Sequence, residues 1–94
     1  MRISDLKPGM KNVSLVAEVL EVDGPKKVVA RGSERTVLEA VITDGTGRVK
    51  LVLWDDKILD LKPGDRVAVE GGAVTSYKGV WRLNVSRGGS ARKL

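Results

Sequence analysis

The sequence predicts an all-β domain, a small five-stranded, partly open barrel with a short helix between its third and fourth strands. Three observations carry that prediction. Thr36 to Trp54 reads as two strands rich in β-branched residues, joined by the turn Thr43-Asp44-Gly45-Thr46-Gly47. The second of these strands alternates, with Val49, Leu51 and Leu53 on one face and Arg48, Lys50, Val52 and Trp54 on the other. A third signal is an echo: Asp5-Leu6-Lys7-Pro8-Gly9 returns as Asp60-Leu61-Lys62-Pro63-Gly64, and a Pro-Gly turn precedes a β-rich run both times. The echo is one strand lead-in used twice, not a domain repeat, because the strands that follow do not match.

The first strand is expected over residues 12–22. Val13, Leu15, Ala17 and Val19 share its inner face, and Leu20 and Val22 then change parity, which predicts a bulge near Leu20. Asp23 to Arg35 is a connection in which Val28-Val29-Ala30 extends a hairpin. After Trp54, the stretch Asp55 to Leu61 predicts one or two helical turns with Asp55 as cap and Ile58 and Leu61 facing the core. Arg66 to Glu70 is the fourth strand, broken by Gly71-Gly72. Ala73 to Gly79 is a loop or hairpin, and Val80 to Ser86 is the fifth strand. The domain is thus expected over 1–86, and 87–94 as a basic, flexible C-terminal tail.

Composition excludes several classes of function. At 94 residues the chain makes one domain with one modest core. It has no Cys and no His, which removes thiolate chemistry, the commonest general base and the usual zinc ligand. Asp55 beside Asp56 is better read as helix capping than as a metal site. No catalytic constellation is visible, and neither a cofactor nor a metal is expected. No apolar run approaches the roughly 18 residues that span a bilayer, and no signal peptide opens the chain, so the expectation is a cytoplasmic, nucleoid-associated protein without a membrane partner. Seventeen Lys and Arg against twelve Asp and Glu give a net charge of +5, which favours a polyanionic partner.

Five short strands and a small helix in a chain of this size describe the OB fold, with an open sandwich as the alternative. The chain resembles the archaeal single-stranded-DNA-binding proteins, the single-OB-fold relatives of replication protein A. The resemblance runs through Leu6 to Met10, Glu39-Ala40, Asp44 to Leu51, Leu53-Trp54, Tyr77-Lys78-Gly79 and Leu83-Asn84. It implies base stacking on Trp54 and on Tyr77 in the last loop. A further aromatic usual in that family falls at Ala73 here, and the family's acidic C-terminal tail is missing. The first departure suggests one fewer stacking platform, or a substitute in Trp81.

The residues themselves point the same way. An exposed Trp beside cations on one sheet face suits a flat, negatively charged ligand. Lys50, Arg48, Lys78 and Arg82 are the expected phosphate contacts, with Glu39 placed to neutralise Lys50 across the strand pair. Lys26, Lys27 and Arg31 form a charge run that either clamps the nucleic acid or is simply solvated. Trp81 shares parity with Leu83 and Val85, which predicts packing under the last loop, with ligand contact as the alternative. The expected function is sequence-tolerant binding of single-stranded DNA in replication and repair. The alternatives are an RNA- or tRNA-binding OB module, and a protein-interaction subunit of a replication-protein-A-like complex that meets other replication or repair proteins.

Overall fold

In the computed structural model, which describes residues 2–85 and 88–94, six strands follow one another: β1 (Val13–Ala30), β2 (Ser33–Thr43), β3 (Arg48–Trp54), β4 (Arg66–Tyr77), β5 (Val80–Val85) and β6 (Ser90–Lys93). β1, β2 and β3 form an antiparallel meander, β3 lies parallel to β5, and β5 is antiparallel to β4. β4 then pairs with β1, from Val13 opposite Gly72 to Glu18 opposite Arg66, and closes the ring. This is the expected OB barrel. Alternation sends Leu15, Val19, Ile42, Leu51, Leu53, Val69 and Leu83 into one core.

The bulge near Leu20 is present, because the β1–β2 register shifts between Val19 and Glu21. Val22 consequently returns to the core side. The two Pro-Gly turns do equivalent jobs at the two ends of the β1–β4 seam. Gly9 N–H donates to the carbonyl of Val74, and Val74 N–H to that of Met10, at 2.8 and 2.9 Å. Gly64 N–H donates to the carbonyl of Val19, and Val19 N–H to that of Asp65, at 2.8 and 2.7 Å. Leu6 and Leu61 are buried beside them.

Four expectations are corrected. The helix between the third and fourth strands is a single 3-10 turn, Asp55–Lys57. Seven residues ending before Pro63 offer too few bonds to offset helix nucleation, and the Asp55 carboxylate is engaged elsewhere instead of capping. The connection from Asp23 to Arg35 is largely strand: β1 and β2 stay paired out to Ala30 opposite Ser33. Arg31 and Gly32, both at positive φ, turn the arm in the two-residue geometry that matches strand twist.

β4 does not stop at Gly71-Gly72 but continues to Tyr77, and Lys78-Gly79 makes a second turn of the same kind. The glycines allow a close approach, since a Cβ on Gly72 would stand 2.7 Å from Leu83 Cδ1. Finally, the expected flexible tail contains β6, whose residues pair with Val67–Glu70 of β4 where β5 no longer covers that edge. An open edge of backbone donors and acceptors overrides the weak strand propensity of Ser90-Ala91-Arg92-Lys93. Ser86 and Arg87, on the expected boundary, lie outside the described residues.

Candidate nucleic-acid interface

Strand pairing assembles one continuous outer face. Along β3 the residues on the outer side are Arg48, Lys50, Val52 and Trp54, of which Val52 is itself buried. Opposite them on β2 stand Thr43, Val41, Glu39 and Val37. On the other flank, Arg82 and Asn84 of β5 pair with Lys50 and Val52, and Thr75 and Ala73 of β4 pair with Arg82 and Asn84 in turn. Tyr77 pairs with Val80 at the far end of β4. Trp54 and Tyr77 therefore mark the two ends of the face. They are separated by about the length of β3, roughly 20 Å for six residue steps.

Trp54 is half-buried and carries a neighbour that the residue pattern alone did not reveal. The guanidinium of Arg35 lies 4.7 Å from its ring centroid, a cation–π distance. Asp55 holds that guanidinium: Arg35 Nε donates to Asp55 Oδ2 at 2.9 Å, and Nη2 approaches the same oxygen at 2.7 Å. Thr36 N–H donates to Asp55 Oδ1 at 3.1 Å. The Arg35 hydrogen bond, followed by that of Thr36, lowers the pKa of Asp55 and keeps it charged. The available signal was the hairpin extension. Once β2 begins at Ser33, Arg35 is the diagonal neighbour of Trp54 through Val37.

Tyr77 is 59% exposed. Lys78 Nζ and the Arg82 guanidinium lie 5.4 and 5.7 Å from its ring centroid. Trp81 does not pack under a loop, because it is 46% exposed. The β3–β5 ladder begins only at Lys50 opposite Arg82, so at Trp81 the inward direction opens past the barrel rim. Its ring lines an open groove of about 440 Å³ with Arg48, Lys50 and Val80.

The expected cations are not equivalent. Lys26 is paired with Asp23 at 3.1 Å and Lys27 with Glu34 at 3.3 Å, both on the β1–β2 arm. Arg31 and Lys78 sit at the two hairpin turns. Glu39 takes both central cations: Lys50 Nζ lies 3.4 Å from Oε2, and Arg82 Nη1 donates to Oε1 at 3.2 Å. Among the described residues, Arg31, Arg48 and Lys78 form no ion pair.

The β2–β3 turn is held by Asp44, whose carboxylate accepts the N–H groups of Ile3 and Thr46 at 2.9 Å each and the Thr46 hydroxyl. The Thr46 hydroxyl bond leads in pushing its pKa down to about 2, against a smaller desolvation effect. A carboxyl group depressed by folding stabilises the fold above its unfolded pKa of about 3.9, and that contribution fades as pH falls toward about 2. Thermal unfolding scans are therefore expected to show Tm dropping between about pH 4 and pH 2. The drop should be shallower in Asp44→Asn, and parallel acid profiles for the two proteins would show that this latch is energetically silent.

Comparison with known proteins agrees with the geometry. The sequence profile of a family described as "Single-stranded DNA binding protein Ssb-like, OB fold" matches residues 6–93. The single-stranded DNA binding protein Ssb of Saccharolobus solfataricus is 36% identical over 83 residues, covering 88% of this chain and 56% of that protein. Replication factor A of Methanothermobacter thermautotrophicus is 32% identical over 95 residues, covering 97% of this chain and 12% of that protein. Among solved structures, the OB domain of a Thermoplasma acidophilum protein superposes with a TM-score of 0.83 at 19% identity, over 100% of this chain and 85% of that one. The chain thus spans little more than half of one curated relative and about an eighth of the other. Among the described residues, no helix is long and apolar enough to cross a membrane.

Proposed function

The chain belongs to the Ssb-like family of OB-fold single-stranded-DNA-binding proteins, and on that premise we propose that it binds single-stranded DNA across the outer face of β2, β3, β5 and β4. The family is one of binding modules and not of enzymes. Bases stack on Trp54 and Tyr77, and the backbone follows Arg48, Lys50, Lys78 and Arg82. Trp81 extends the track around the rim, and Lys26, Lys27 and Arg31 reach it from the β1–β2 arm. Recognition is sequence-tolerant, because every base offers a π-face. The setting is DNA replication and repair. The observation that carries the proposal is the placement of two aromatic rings at opposite ends of one sheet face, each with a cation against it.

Titrating intrinsic tryptophan fluorescence with a short oligothymidine tests this. Quenching is expected in the wild type and in Trp81→Phe, and is expected to be largely lost in Trp54→Phe. Quenching carried by Trp81 instead would move the platform to β5. Three to five phosphate contacts predict a log–log salt slope of roughly −2 to −3.5, at about −0.7 per contact for single strands. A slope near zero would remove the electrostatic half of the proposal. Competition with a matched RNA oligomer separates the DNA reading from the RNA one. If no oligonucleotide binds at low salt, the face is left to a protein partner.

A further inference from the structure

A carboxylate stands in the middle of the proposed binding face. Glu39 lies between Lys50 and Arg82, 3.4 and 3.2 Å from their nitrogens, and its side chain is only 14% exposed. The two cations best placed to receive a phosphate at the centre of β3 and β5 thus already hold an anion. Arg82 is not fully satisfied there, because its Nε is buried and finds no hydrogen-bond partner among the described residues. A charged donor left unmatched marks an arrangement that a second partner can improve. Two cations and one carboxylate give the cluster a net charge of +1, and neutralising the carboxylate raises it to +2.

We propose that Glu39 is an internal counterion. It occupies the place of a phosphate, holds Lys50 and Arg82 against the sheet in the free protein, and releases Arg82 to the nucleic-acid backbone on binding. It thereby lowers the affinity and flattens the salt dependence of the site. This rests on the single-stranded-DNA reading above and adds to it the residue that sets binding strength. Exchanging one anion for another gains less than filling an empty cationic site, since the hydrogen bond that Arg82 gives up to reach a phosphate is itself charge-assisted. A carboxylate beside an incoming phosphate adds like-charge repulsion.

The test is fluorescence anisotropy of a labelled oligothymidine with wild type and Glu39→Gln across a series of KCl concentrations. Glutamine keeps the shape and an oxygen acceptor for Arg82 while removing the charge. Glu39→Gln is expected to bind roughly five- to tenfold more tightly at low salt, the effect of one charge a few ångström from a phosphate. Its salt slope should steepen by about 0.7, one further net charge. A variant that melts as the wild type does and binds no more tightly, with the same slope, overturns the proposal and leaves the DNA-binding reading intact.

A second measurement needs no variant. The Arg82 Nε–H resonance of the wild type is expected to shift on saturation with oligothymidine, and an unmoved resonance in a bound sample overturns the exchange. A wild type that binds no oligonucleotide overturns both readings together.

Discussion

Trp54→Ala is expected to weaken oligothymidine binding by about tenfold or more while leaving the barrel folded, since base–aromatic stacking is worth ~1–3 kcal/mol per base. The ring is half-buried at the end of β3, and Arg35 covers one face of it. Because Asp55 holds Arg35 and Arg35 braces the ring, Asp55→Asn should lower affinity by a smaller factor through the same ring. Trp54→Phe should retain part of the binding, because a smaller ring still stacks. Anisotropy titrations at one fixed low salt concentration, with circular-dichroism melts as the fold control, make the comparison. A folded Trp54→Ala protein within twofold of wild type would mean that Trp54 is structural and that bases stack elsewhere.

The largest expected loss of stability belongs to Leu83→Ala. Leu83 is 0% exposed and sits at the parallel β3–β5 junction, opposite Leu51 of β3 and Val74 of β4. Its Cδ1 also fills the space that Gly72 leaves open. Truncating a fully buried Leu costs about 2–5 kcal/mol, because the cavity left behind closes only in part. A domain of this size has about 5–14 kcal/mol of stability in total, so the variant is expected to melt at least ~10 °C lower. Chemical denaturation with wild type and variant compared at equal m-value checks the figure. A loss below about 1 kcal/mol would show that β4 and β5 collapse onto the gap. The same substitution should weaken oligonucleotide binding only through the unfolded fraction, since Leu83 points away from the outer face.

The β1–β2 arm shows where reading from residues alone reached its limit. Hairpin turns of the geometry found at Arg31-Gly32 and Lys78-Gly79 are signalled most strongly by Asn-Gly or Asp-Gly. Here the glycine is present and a cation precedes it, so the first arm reads as a connection with a hairpin extension only at Val28-Val29-Ala30, and the second as a loop or hairpin. With the hairpin extension limited to Val28-Val29-Ala30, Arg35 counted only as a charge in a connection. Paired, it becomes the residue that touches Trp54.

Trp81 was misplaced for a related reason. Alternation gives the correct side of the strand, but it carries no information about where the neighbouring strand ends. Glu39 was anticipated as a partner of Lys50, because their strands are hairpin neighbours. Its second partner, Arg82, is 43 residues away and comes to it only through the parallel β3–β5 pairing.

Whatever depends on local geometry was therefore determined by the sequence itself. Side chains two apart on a strand share a face, so the inward set Val49, Leu51, Leu53 and the outward set Lys50, Trp54 follow from spacing alone. A change of parity predicts the bulge at Leu20, and Pro followed by Gly predicts a turn. Those signals, with the motifs that carry the family resemblance, suffice for the barrel and for the outward placement of Trp54. The tertiary structure decided what depends on closure of the ring: which strand lies beside β3, how far β4 runs past its glycines, and that β6 takes the edge β5 leaves open. It also decided which carboxylate each cation meets. These contacts join residues distant in the chain, and their partners are chosen by strand order and register across the whole barrel, which no short stretch of sequence encodes.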